Sequence, residues 1–399
     1  MIDDFFERSR AMFDLPKGVV YLDGNSLGAM PKSARERVRR ELDESWGREL
    51  IRAWNTAGWI DLPSKVGDRI GTLVGARKGS VVAGDSTSIN LFKALTAALD
   101  LARPRKVILS DSGNFPTDLY VAQGVCHLLG RGYELKIVDP EAVESTLDER
   151  VAVLMLTEVD YRTGRKHSMR ELTEKAKALG IVTIWDLAHS AGALPVDVTG
   201  CRTDFAVGCG YKYLNGGPGA PAFIYVRPDL QERIAPALSG WMGHAAPFAF
   251  ELKYRPAPAI DRLRAGTPPV LSMAALDAAL DVFESVDMLA LRKRSVALGE
   301  DFIRRIEADC PELQLASPRD PERRGSQVSF RFAEGYATMQ ALIARGVIGD
   351  FREPDVMRFG FTPLYIGFAE VETAARTLVE IVRGGLWDRP EFHARNKVT

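Results

Sequence analysis

The sequence predicts an α/β protein: a mainly parallel sheet of about seven strands flanked by helices, followed by a smaller C-terminal α+β domain. Three observations carry this. Between Lys65 and Val226, short apolar runs alternate with helix-like segments, the pattern of a parallel sheet with crossover helices. Several runs are apolar without interruption, as expected of strands covered on both faces. Past a proline-rich connector at 255–269, a long helical pattern leads into shorter, mixed elements.

In chain order, residues 1–20 read as a short amphipathic helix with Phe5, Phe6, Met12 and Phe13, closed by a Pro-Lys-Gly turn. Val19 to Leu22 is a short strand entering the glycine-punctuated turn Asp23-Gly24-Asn25-Ser26-Leu27-Gly28. Read locally it is a hairpin or connecting turn, although such a turn also brings backbone and hydroxyl groups close to a ligand. Residues 31–51 are a highly charged helix opened by Pro31. Trp54 and Trp59 follow in AWNTAGW, as core anchors or as an aromatic wall for a flat ligand. Anchoring is the better reading of Trp59.

A helix over 64–75 leads to a strand at 81–84 and then Asp85-Ser86-Thr87-Ser88, ahead of a helix with apolar Ile89, Phe92, Leu95 and Leu99. A hydroxyl-rich turn opening a helix offers free N–H groups and a positive dipole end, which serve a cap or a phosphate equally. Strands recur at 106–110, 135–138, 151–156, 181–185, 205–208 and 222–226, with helices at 118–129 and 169–179. Ligands of such sheets bind beyond the carboxyl ends of the strands. Phe115-Pro116-Thr117-Asp118, Asp186 and Lys212 each follow a strand and therefore share one edge. Beyond the connector, a helical pattern over 272–308 is interrupted near Val286-Asp287. A polar loop (317–325), a strand (327–332), a helix (336–345), a strand and turn (356–363) and a helix (370–384) complete the chain.

Composition narrows the function classes. Of 399 residues, 46% are hydrophobic and 26% charged, and the net charge is -1, so nothing advertises nucleic acid or an anionic membrane. No apolar run approaches a membrane span, and the acidic N-terminus is wrong for a secretory signal. Cys126, Cys201, Cys209 and Cys310 show no paired spacing, and the five histidines form no H-E-x-x-H motif, which argues against a metal site and for reduced thiols in a cytoplasm.

The most telling stretch runs from Trp185 to Gly219. Asp186 follows the apolar strand IVTIW, His189 lies three residues on, and Lys212 stands between Tyr211 and Tyr213 ahead of a glycine run. Pyridoxal phosphate (PLP) chemistry needs a lysine for a Schiff base and an acid opposite the pyridine nitrogen. It also needs a phosphate cradle and an aromatic face. Each residue alone has a plainer reading: a structurally paired acid, a hydrogen-bonding histidine, a solvated loop lysine. A nucleotide loop is a poorer fit, because neither G-x-G-x-x-G nor Walker spacing occurs there.

Nearly the full length resembles the kynureninase family, fold type I PLP enzymes of the aspartate aminotransferase superfamily. The resemblance rests on YLDGNSLG (21–28), STSINLFK (86–93), NFPTD (114–118), DLAHSAGA (186–193), GCGYKYLNGGPG (208–219), GWMGH (240–244), GTPPVLSMAAL (266–276) and RFGFTPLY (358–365). It implies Lys212 as the Schiff-base lysine, Asp186 as partner of the ring nitrogen and Tyr211 as proton relay. Phe115 would stack on the ring, with Thr117, Asp118 and His189 around it. Thr87, Ser88, Tyr211 and Trp241 would surround the phosphate, as would Thr267, which stands where some members have asparagine. Arg358 would clamp the substrate carboxylate, with Ser26 and Trp54 near its aryl end. The implied reaction is hydrolysis of L-kynurenine, or its 3-hydroxy form, to anthranilate or 3-hydroxyanthranilate and L-alanine, in tryptophan degradation or NAD precursor synthesis. A cytoplasmic homodimer with the site between subunits is also implied. The expected organisation is an N-terminal arm and helix (1–60), a large cofactor-binding domain (61–264), and a connecting helix with a small domain (265–399).

Three rivals remain. A cysteine desulfurase needs a mobile nucleophilic cysteine in the C-terminal domain, where this chain has Arg323-Arg324-Gly325-Ser326-Gln327. A non-catalytic cofactor-binding regulator would not need both Lys212 and Arg358. A nicotinamide oxidoreductase lacks its dinucleotide fingerprint here.

Overall fold

A computed structural model of the chain describes residues 2–130 and 132–395, with the side chains of residues 2–4 left out. Its strands are β1 (Val20–Tyr21), β2 (Val81–Ala83), β3 (Val107–Asp111), β4 (Glu134–Val138), β5 (Val151–Thr157), β6 (Val182–Asp186), β7 (Phe205–Gly208) and β8 (Phe223–Val226). The C-terminal part adds β9 (Gln314–Leu315), β10 (Gln327–Arg331), β11 (Val347–Ile348), β12 (Asp350–Arg352) and β13 (Val356–Gly360).

The main sheet has seven strands in the order β2-β8-β7-β6-β5-β3-β4, and only β8 runs against its neighbours. Every residue of β5 is buried, and alternation sends its side chains to opposite cores. Val153 and Met155 join the helices Thr87–Leu101 and Pro116–Leu129 on one face. Leu154 and Leu156 join a larger cluster with Val66, Ile70 and Leu172 on the other.

A four-stranded antiparallel sheet, β12-β13-β10-β9, forms the C-terminal part. The short strand before the glycine-punctuated turn is not half of a local hairpin. β1 pairs in parallel with β11, more than three hundred residues away, Val20 opposite Val347.

Both long helical readings hold, with detail the sequence did not show. The charged stretch of 31–51 is α-helical over Lys32–Arg40, continues as a wider π-helix over Glu41–Glu49, and ends in a 3-10 turn (Leu50–Arg52). Glu41 is drawn inside, accepting hydrogen bonds from Trp59 Nε1 at 2.9 Å and Arg37 Nε at 2.7 Å. Gly47 permits the wide turn, since a Cβ there would lie 2.7 Å from the Leu42 carbonyl oxygen. The pattern over 272–308 is two helices, Val270–Ala279 and Met288–Asp309, and the break that follows a 3-10 turn (Leu280–Phe283) falls at 284–287, where the sequence placed it. Asp287 caps the second through the Leu289 and Ala290 amides.

Candidate active site

The carboxyl ends of β2, β3, β5, β6 and β7 converge on one edge. β6 delivers Asp186, which is 6% exposed and whose Oδ1 accepts the Ala188 amide at 2.6 Å. The loop after β7 delivers Lys212, whose Nζ lies 3.3 Å from His189 Nε2 and 5.8 Å from the centre of the Phe115 ring. Phe115 caps the helix Pro116–Leu129 and stays 40% exposed, presenting an aromatic face rather than joining the core. Asp118 sits in the first turn of the same helix, buried, with Thr117 half-buried beside it.

The electrostatics sort these groups. Burial, and next the charge of Asp186, hold the Asp118 carboxyl well above the usual range. Asp186 is also raised by burial, while the Lys212 ammonium pulls it back. Two buried carboxyls side by side cannot both ionise cheaply, so Asp118 carries the proton and Asp186 the charge. Burial, then Lys212, pushes His189 well below its ordinary value, leaving a neutral imidazole whose Nε2 accepts from Lys212. Burial pushes the Tyr211 phenol up, so it remains a proton donor.

The hydroxyl-rich turn after β2 forms a cleft of about 390 Å³ lined by Asp85, Ser86, Thr87, Ser88, Tyr211 and Pro218 to Ala220. Ser86 is the helix cap, its Oγ accepting the Ile89 amide at 3.4 Å, so the helix starts at Thr87. This arrangement fits PLP on structural grounds. The cleft lies at a helix opening, where free N–H groups and the positive dipole end suit a phosphate. Phe115 offers the ring face, Asp118 Oδ2 is a buried oxygen with no partner, and Lys212 Nζ lies 5.8 Å from the centre of the Phe115 ring.

Arg358 is 1% exposed and lies on β13 directly opposite Asp350 of β12. That register explains its binding: Nε donates to Asp350 Oδ1 at 2.6 Å and Nη2 to Oδ2. Nη2 also donates to Ser26 Oγ at 3.0 Å, and Nη1 to the Tyr161 carbonyl. The Tyr161 ring meets Phe115 edge-on at 5.1 Å, so the arginine and the aromatic face are mechanically joined. The turn holding Ser26 locks onto the lysine loop, Gly28 N donating to the Tyr211 carbonyl at 2.8 Å.

Three expected site residues sit elsewhere in a single chain. Trp54 packs edge-on against Trp59 at 5.9 Å. Trp241 is 40% exposed and meets Phe248 at 5.7 Å. Thr267 lines a narrow cleft beside Gly84 and Asp85. Among the described residues, none of these three makes a hydrogen bond or ring contact with Lys212 or Asp186.

Asp350, Asp23, Tyr161 and Arg352 are the site neighbours that sequence reasoning missed. Arg352 Nη2 lies 2.7 Å from Asp350 Oδ2, and Asp23 is raised to about 7, by burial first and Asp350 next. Asp350 and Arg352 become recognisable only once β12 is known to lie beside β13. Asp23 stood in a quoted motif, but its exact surroundings come from distant strands. Among the described residues no cluster suited to a metal occurs, and no helix is long and apolar enough to cross a membrane. Cys310 is buried at a helix end with its thiol pushed up to about 12 by burial, then Glu312, the opposite of an activated nucleophile.

Comparisons with known proteins agree with this geometry. A family profile described as the kynureninase C-terminal domain matches residues 291–378. A kynureninase from Pseudomonas fluorescens is 51% identical over 397 residues, 98% of this chain and 95% of its own. Among solved structures, a cysteine desulfurase from Thermococcus onnurineus NA1 superposes with a TM-score of 0.80 at 20% identity, covering 95% of this chain and 98% of its own. C-DES with glycine covalently linked to its PLP cofactor gives 0.80 at 17%, covering 93% and 99%. At such identities the structural likeness shows the fold, that of the fold type I PLP enzymes.

Proposed function

The chain belongs to the kynureninase family, and on that premise we propose which of its residues perform each part of the reaction. The activity is PLP-dependent hydrolysis of the Cβ–Cγ bond of L-kynurenine, giving anthranilate and L-alanine. When bound, PLP supplies an electron-accepting ring conjugated to the substrate nitrogen.

Lys212 would hold the cofactor through its amine and, with substrate bound, would move the proton at the substrate Cα. Neutral His189, 3.3 Å away, accepts a hydrogen bond from that amine and orients it. Charged Asp186 holds the ring nitrogen in its protonated form. Protonated Asp118 and the hydroxyl of Thr117 border the ring, and Phe115 covers one face. Thr87 and Ser88 donate to the phosphate, with Tyr211 alongside. Arg358 would take the α-carboxylate on the guanidinium edge turned away from Asp350, where the carboxylate replaces the Ser26 hydroxyl and the Tyr161 carbonyl as acceptors. Ser26 lies at that edge, and Trp54, which packs on Trp59 in its own chain, would close the aryl end of the second copy's site. Water adds to the Cγ carbonyl; as the Cβ–Cγ bond breaks, Cγ leaves as the carboxylate carbon of anthranilate and the Tyr211 phenol would protonate Cβ, which stays in alanine.

Trp241 and Thr267 complete the phosphate end from a second copy of the chain. Phe248, Phe250 and Leu252 support this, being 62%, 75% and 105% exposed on the segment that carries Trp241. Apolar side chains left together in water mark an interface. The working form is then a cytoplasmic homodimer, each chain organised as an arm (1–60), a large domain (61–264) and a small domain (265–399). The 3-hydroxy substrate is a second candidate at the same site.

One observation carries the assignment of roles: Lys212, the Asp118–Asp186 pair and the Phe115 ring meet at one sheet edge. The purified protein is expected to be yellow, and kynurenine to yield fluorescent anthranilate. Lys212→Ala should abolish turnover while leaving the fold intact; a fully active variant would mean another lysine serves.

A further inference from the structure

We propose that Lys93, which touches neither substrate nor the expected cofactor ring, is the positioning residue that balances charge at the phosphate cleft. Neutralising Asp85 lets a dianionic phosphate settle in a cleft whose own lining holds no cation. The inference rests on the PLP reading above and extends it to a residue outside the site.

None of the cleft-lining residues is basic, and one of them, Asp85, is acidic. A helix opening alone supplies only a fraction of a positive charge. A carboxylate beside the phosphate works against that dipole at full charge. Directly behind the turn, one and two helical turns along Thr87–Leu101, lies Lys93 with 0% exposure. Its Nζ bonds Asp85 Oδ2 and the Leu263 carbonyl, the latter at 2.6 Å. A lysine is almost never fully buried unless paired, and this one is paired only to the phosphate turn and one carbonyl.

The ion pair also sets geometry. Asp85 has φ +50, a left-handed conformation unfavourable for a side chain with a Cβ. It persists because Asp85 is held from two directions, by Lys93 and by the Ala222 amide on its carbonyl at 3.0 Å. The Asn90 side chain, bonded to the Gly84 carbonyl at 2.9 Å, fixes the residue before it. Lys93 therefore both cancels the carboxylate and keeps the turn aimed so that the Thr87 and Ser88 amides face the cleft.

The test separates charge balance from mere support. The apoenzyme is titrated with PLP and, in parallel, with pyridoxal, which forms the same bond to Lys212 without a phosphate. Lys93→Met should weaken PLP binding by about tenfold or more, the size expected of one uncompensated charge, and leave pyridoxal binding unchanged. The double variant Asp85→Asn/Lys93→Met should recover most of the lost PLP affinity. Equal loss for both ligands, or no recovery in the double variant, overturns the proposal. If Lys93→Met does not fold, Asp85→Asn alone decides: PLP should bind more tightly with pyridoxal unchanged, and unchanged or weaker PLP binding overturns it. Wild-type protein that takes up no PLP would instead refute the underlying reading, a separable result.

Discussion

Arg358 shows how a single charge is kept ready in a dry site. Four of its five N–H donors have partners: two on Asp350, one on Ser26 and one on the Tyr161 carbonyl. A buried guanidinium without them would be costly, and with them it is fixed in place but partly neutralised. The neighbouring Asp23 then governs how much positive charge remains. Its carboxyl faces Asp350, Ser26, Arg358 and Arg352, with the Tyr21 and Tyr365 phenols beside it. Burial and Asp350 raise it from 3.8 to about 7. Below about pH 7 it is neutral; above, it adds a negative charge beside Arg358, the carboxylate clamp of the proposed function. The KM for kynurenine should therefore rise several-fold as pH climbs through about 7, with kcat changing less. Asp23→Asn should flatten that rise in a KM–pH profile, and an unaltered profile would exclude Asp23. Stability follows the same sign. The folded pKa lies above the unfolded one, so the stabilisation is full below pH 3.8 and fades as pH rises through about 7. At this scale the sequence was partly legible. Lys212 and Asp186 announce themselves by strand ends and local pattern. Asp350 does not, because its meaning is a cross-strand register with Arg358 that no local window contains.

At the scale of elements, continuous apolar strands were readable because both faces of the main sheet are buried. The two- and three-residue strands β9, β11 and β12 were not, being too short to show a period. Nor did the sequence distinguish antiparallel β8 from its parallel neighbours, since burial on both faces looks alike in either direction. The glycine-punctuated turn after β1 shows the same limit. Its local pattern favours a simple connection, yet it is pinned between β11 and the lysine loop. Gly28 is the tightest point: a Cβ there would sit 2.2 Å from the Lys212 carbonyl oxygen and 2.5 Å from Asn215 Oδ1. Gly28→Ala must push the lysine loop away, a strain of about 1–3 kcal/mol by analogy with overpacked cores. It should lower Tm and weaken PLP binding together. A variant that loses stability but binds PLP normally would show that the turn supports the fold without positioning Lys212.

For the whole molecule, the fold and the reaction are specified by different parts of the chain. A desulfurase shares the architecture at a TM-score of 0.80 with 20% identity, so the fold by itself does not name the bond to be broken. The segments that meet the sheet edge come from the N-terminal turn, β12 and β13, and, under the proposed function, from a second subunit. The last of these is directly testable by subunit mixing. Lys212→Ala removes the amine from its own site, whereas Trp241→Ala should damage the site of the other chain. Homodimers of either variant should be impaired, Lys212→Ala completely. A refolded equal mixture is half hybrid by random pairing, and each hybrid pairs both defects in one site and leaves the other intact. Turnover should then recover toward about a quarter of the wild-type number of sites, by the exchange expected of a two-fold dimer. If Trp241 instead served its own chain, every site in the mixture would carry one defect or the other, and mixing would restore nothing beyond the average of the two parents.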